Sequence, residues 1–125
     1  PASATAPSTP LQEAGRVLSI GGEATATGLR ILISGDGQFQ TGRFSWSEIG
    51  GDKPRVLVRL RGIDDPYRGP VPPASALIAG VRTGHHRRPE GNELHVVLDL
   101  VSGAPAIVTA VTPQGDRLAS DLAPR

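Results

Sequence analysis

Glycine, proline and aspartate cut this chain into short segments, and inside those segments apolar residues return at every second position. The clearest case is Lys53 to Ile63, "KPRVLVRLRGI". Strand side chains alternate faces with period two, so Val56, Val58 and Leu60 belong on a buried side while Arg55, Arg59 and Arg61 face outward. No segment carries a convincing helical period. The pattern predicts strands near 16–20, 28–34, 42–46, 54–61, 77–83, 93–101, 106–111 and 116–122. Asp64 to Pro73, "DDPYRGPVPP", is too rich in proline for a central strand and reads as a crossover.

The strands repeat. "LRILISG" (Leu29–Gly35) is echoed by "LHVVLDL" (Leu94–Leu100) 65 residues later, and "PRVLVRL" (Pro54–Leu60) by "DRLASDL" (Asp116–Leu122) 62 residues later. Between them "GRFSW" and "AIVTAV" hold equivalent places. Each half is too small to cover its own apolar face. The expected fold is therefore all-β, a sandwich of two packed sheets with pseudo-symmetric four-strand halves. Pro1 to Pro10, "PASATAPSTP", has nothing to bury and reads as an inter-domain linker. We place the linker at 1–14 and the sandwich at 15–125, as one part of a longer protein.

Composition narrows the function. The formal net charge is +1, so no global field attracts nucleic acid and any basic function must be a local patch. The cations are arginines apart from Lys53, and a guanidinium fork matches carboxylate and phosphate. The absence of cysteine excludes disulfides, thiolate zinc sites and cysteine nucleophiles. No apolar run approaches the roughly 20 residues of a membrane span. Ser45 and Ser47 lack a nucleophile-elbow pattern, and Asp64 and Asp65 are adjacent in a loop rather than opposed across a cleft. Glycines in "SGDGQF", Ser34 to Phe39, precede no helix that would bind phosphate. These features predict a non-enzymatic domain without a cofactor.

"KPRVLVRLRGI" resembles the Pro-Arg-led strand of AMIN domains, envelope modules found beside bacterial cell-wall amidases and type IV pilus secretins. "IAGVRTGHHRRPEGNELHVVLDL", Ile78 to Leu100, is similar to the second signature of that family. There a Val-Arg-x-Gly strand (Val81 to Gly84) precedes a polar turn and a Val-Val-Leu-Asp-Leu strand (Val96 to Leu100). The resemblance covers nearly everything after the linker. It departs at Arg59, where the first signature carries an acidic residue, so the outer face here is more basic than the family pattern. The resemblance implies a β-sandwich exported to the periplasm or cell envelope. Its implied role is to target an amidase or secretin to peptidoglycan. A neighbouring envelope protein is the alternative partner.

Peptidoglycan stem peptides carry free carboxylates, which guanidinium forks bind in bidentate geometry. If the strand at 28–34 pairs with that at 54–61, Arg30 joins Arg55 and Arg59 on one outer surface. The alternative is a solvated face kept soluble by charge. Leu32, Leu57 and Val97 share the outward parity. Arg82 is either an exposed ligand contact or a clamp on a turn carbonyl or Asp99. His85 and His86 are adjacent, so they point to opposite faces, which is poor geometry for holding one metal. With Arg87 and Arg88 they read as a polar hairpin loop. Phe44 and Trp46 share a parity and are expected in the core, the alternative being an exposed Trp46 that stacks on a sugar. Tyr67, in the crossover, is expected exposed, able either to stack on a glycan or to staple the crossover to the sandwich.

Overall fold

The computed structural model describes residues 13–101 and 106–124. They form eight strands and no helix: β1 (Val17–Ala24), β2 (Leu29–Gly35), β3 (Phe44–Ile49), β4 (Arg55–Arg61), β5 (Ile78–His86), β6 (Glu93–Leu100), β7 (Ala106–Gln114) and β8 (Arg117–Pro124). All pairings between these strands are antiparallel, in two four-stranded sheets ordered β1-β2-β8-β7 and β3-β4-β6-β5. Each predicted strand is present. β5 runs further than the sequence suggests, taking His85 and His86 out of the loop and into the sheet. Glu13 and Ala14, assigned by the sequence to the linker, belong to the fold: Ala14 is buried and its N–H donates to the Gln38 carbonyl.

The repeat is visible in the topology. Exchanging the halves, β1–β4 for β5–β8, turns the order β1-β2-β8-β7 into β5-β6-β4-β3, which is the second sheet read backwards. Register follows as well. Leu29 opposes Leu122, Ile31 opposes Ser120 and Ile33 opposes Leu118 in one sheet. Their repeat equivalents Leu94 and Leu60, Val96 and Val58, and Leu98 and Val56 oppose one another in the other.

These inward residues make the core. Ile31, Ile33, Val56, Val58, Val96, Leu98 and Leu118 have no exposed surface. Burying an aliphatic side chain of this size contributes about 1.5–3 kcal/mol. The opening stretch thus sits as its alternation requires, with Val56, Val58 and Leu60 inside. Gly28, at the turn before β2, is required by close approach, because a Cβ there would lie 2.0 Å from the Leu122 carbonyl oxygen.

Two aromatic residues reverse their expected places. Trp46 has inward parity, opposite Val58, yet is 40 % exposed. The reason is position: β3 is an edge strand, so an inward side chain there lies at the rim of the sandwich. Tyr67 is buried, with 8 % exposure. The proline-rich crossover folds over the β1/β5 side, where Tyr67 packs in the core cluster and Pro72 touches Gly22. Its hydroxyl accepts from the Ile20 N–H at 3.3 Å and donates to the Pro70 carbonyl, while its own carbonyl accepts from Thr83 Oγ1. Of its two expected roles Tyr67 takes the second, stapling the crossover to the sandwich, and its burial leaves no platform for a glycan. Tyr67→Phe should leave the Ile20 N–H without its partner and cost about 1–2 kcal/mol in urea unfolding. An unchanged midpoint would mean that the hydroxyl is solvated.

Candidate binding face

The outer surface of the β3-β4-β6-β5 sheet is assembled row by row from the ladder. Ile49, Arg55, Asp99 and Gly80 stand side by side. Ser47, Leu57, Val97 and Arg82 form the next row, then Ser45, Arg59, His95 and Gly84. Arg61, Glu93 and His86 close it. The row residues on β3 and β5 other than Ile49, Arg82 and His86 are serines and glycines, so the long side chains of the middle strands are not walled in. Four guanidinium groups here meet two carboxylates, and Lys53 enters just ahead of Arg55.

The guanidinium groups are not equivalent. Arg59 bonds Glu93 through both its Nε and its Nη2, at 2.9–3.1 Å. Glu93 also accepts from His95 Nε2 at 3.0 Å. Only 7 % of Glu93 is exposed. The His95 bond first, and then Arg59, hold its carboxyl at a pKa of about 2. His86 lies over His95, ring centroids 4.1 Å apart, and charge on His95 lowers the His86 pKa. His85 turns the other way and bonds the Ile63 carbonyl. Arg82 takes the clamp role, with bonds of 2.7 and 3.0 Å to Asp99, although its side chain stays 63 % exposed.

Arg55, Lys53 and Arg61 differ. Among the described residues Arg55 donates only to the Lys53 carbonyl, at 3.1 Å. Among the described residues none of these three cations pairs with a carboxylate. Lys53, Arg55, Arg82 and Asp99 surround an open concavity of about 540 Å³ whose apolar lining is Ile49, Leu57 and Val97. At the other end of β4, Arg61 lines a second concavity with Arg43, Arg59 and Arg88 and the carboxylates of Glu90 and Glu93, beside Gly62 and Gly91. Guanidinium or ammonium groups beside aliphatic carbons suit a ligand with a carboxylate and an apolar portion.

Arg30 is not part of this face. β2 pairs with β1 and β8 rather than with β4, so Arg30 lies on the outer side of the opposite sheet. There it bonds Asp121 at 2.7 Å and sits 3.7 Å from Glu23. That surface sets Arg30 and Arg117 against Glu23 and Asp121, and its formal charge cancels. The structure thus brings Arg55, Arg59 and Arg82 together and leaves out Arg30 and Tyr67. Lys53 and Arg61 were legible as outward cations beside the ladder. Glu93 gave no signal, because nothing in a strand-initial glutamate says that a diagonal arginine will cover it.

No family model, curated protein or solved structure matches the chain.

Proposed function

We propose that this domain is a non-catalytic peptidoglycan-binding module of the bacterial envelope. In this reading it localises a cell-wall amidase or a secretin in the periplasm, and the outer surface of the β3-β4-β6-β5 sheet holds stem-peptide carboxylates. The observation that carries the reading is the divergence of two pseudo-symmetric faces. One balances Arg30 and Arg117 against Glu23 and Asp121, while the other carries an excess of cations, with Lys53, Arg55 and Arg61 beyond those that Glu93 and Asp99 hold among the described residues. Solubility alone gives no reason for that difference. The AMIN-like signatures, which lie on β4, β5 and β6 of this same sheet, supply the ligand class.

Arg55 and Lys53 do the binding, with Leu57 and Val97 beneath the ligand. Arg59 and Arg82 hold the surface in shape through Glu93 and Asp99. Co-sedimentation with purified sacculi tests the assignment. Each exposed ion pair contributes about 0.2–1 kcal/mol, so Lys53→Ala with Arg55→Ala should weaken binding severalfold to about tenfold. Binding should fall with added salt, since exposed charges are screened over about 10 Å at 0.1 M. Amidating the sacculus carboxylates should have the same effect. Binding indifferent to salt and to amidation rejects the carboxylate reading. Absence of sacculus binding in the unaltered domain favours a protein partner instead.

A further inference from the structure

The last two rows of the outer face bring two imidazoles into contact. His95 on β6 stands directly opposite Gly84 on β5, and His86 stands opposite Glu93. Gly84 puts no side chain beside His95, and the His86 ring folds back into that space. A Cβ on Gly84 would touch His86 Nε2 at 3.6 Å. The two rings therefore lie one over the other, with centroids 4.1 Å apart and planes inclined by 35°. The His95 side chain is only 15 % exposed, whereas His86 faces solvent.

The charges around this pair are unevenly placed. From β6, Glu93 accepts from His95 Nε2 at 3.0 Å and so favours a positive charge on His95 rather than on His86. From β4, Arg59 bonds the same carboxylate, and Arg61 stands opposite it in the ladder. From the β5–β6 loop, Arg88 adds a further cation near His86. His85, the titratable neighbour on β5, turns to the other face and bonds the Ile63 carbonyl. Glu93, the carboxylate that opposes these charges, is thus already shared by His95 and Arg59. The charge on His95 first, then lost solvent and Arg88, hold the His86 pKa below its ordinary 6.5.

We propose that His86 is an acid-released cover: uncharged, its ring lies on His95, and in mild acid it takes a proton, leaves the stack and adds a positive charge to the binding face in the row of Arg61. An uncharged ring tolerates an imidazolium beneath it, but two imidazoliums at this spacing repel. Release needs only a change of rotamer, since His86 is on the solvent side of the pair. The bonds from His95 and Arg59 to Glu93 stay in place, so the sheet beneath is unchanged. The gain in ligand binding rests on the carboxylate-binding reading of this face, whereas the movement of the ring does not.

The chain has three histidines, so the imidazole C–H protons of the unaltered domain can be followed one by one by NMR. His86 should titrate with a midpoint below the ordinary histidine value, and its protons should lose the ring-current displacement of the stack as the proton is taken up. His95→Gln keeps a donor for Glu93 but no charge, and should return the His86 midpoint toward the ordinary value. Sacculus carboxylates are still ionised at about pH 5.5, so co-sedimentation should strengthen about two- to fivefold between about pH 7.5 and that value. His86→Gln should remove most of this gain. A His86 midpoint at or above the ordinary value, stacked-ring shifts that persist through the titration, or an equal gain in His86→Gln would overturn the proposal. A domain that binds no sacculi at either pH would reject the function proposed above, and the ring titration then decides the switch by itself.

Discussion

Glu93→Gln should destabilise the domain by about 2–3 kcal/mol at pH 7, the largest effect expected of any substitution on the outer face that changes no volume. Glu93 is nearly covered, and it balances Arg59 and His95 from one carboxylate. An amide in its place offers Arg59 no counter-charge. The same interaction dictates a pH dependence. The carboxyl titrates near pH 4.5 when solvated and near pH 2 in the fold, so the folded state holds the charged form more tightly than the unfolded chain does. The stabilisation is then fully present above about pH 4.5 and is lost as pH falls through the folded value near 2. A shift of this size converts to about 3 kcal/mol, reduced somewhat by water around the partly open Arg59. Urea unfolding at pH 7 and near pH 2 should show the gap between the unaltered domain and Glu93→Gln closing as acid protonates the parent. A gap of equal size at both values would assign the loss to packing instead of charge.

Period-two alternation made most of the fold legible. In "KPRVLVRLRGI" it separates Val56, Val58 and Leu60 from Arg55, Arg59 and Arg61 without reference to any other part of the chain, and the core follows that division. The repeat between Leu29–Gly35 and Leu94–Leu100 carried more, since its offsets reproduce the register of both central strand pairs. Alternation says which residues share a face of a strand, but not which strands share a sheet. Arg30 was misplaced for that reason. Each half sends its first hairpin to one sheet and its second to the other, so β2 and β4 never meet.

Trp46 and Tyr67 failed on a related point. Parity put Trp46 inside, but the edge position of β3 put it at the rim. Tyr67 lies in a segment with no alternation to read, and its burial depends on where the crossover lands across β1 and β5. The candidate face was half legible for a similar reason. The outward arginines could be read directly, whereas their division into neutralised and free members depends on diagonal neighbours such as Glu93.

A comparison of charge reversals on the two faces bears most directly on the proposed function. Lys53→Glu with Arg55→Glu and Arg61→Glu inverts three cations of this face that pair with no carboxylate among the described residues, while Arg117→Glu inverts an exposed cation, likewise unpaired among them, on the opposite sheet. Each reversal replaces an attraction of about 0.2–1 kcal/mol with a repulsion of similar size. The triple variant should therefore bind sacculi at least about tenfold more weakly at low salt while remaining folded, with a lowered urea midpoint because carboxylates at 55 and 61 stand opposite Asp99 and Glu93. Arg117→Glu should bind as the unaltered domain does. Equal losses on both faces, or full binding by the folded triple variant, would contradict the assignment of the β3-β4-β6-β5 surface.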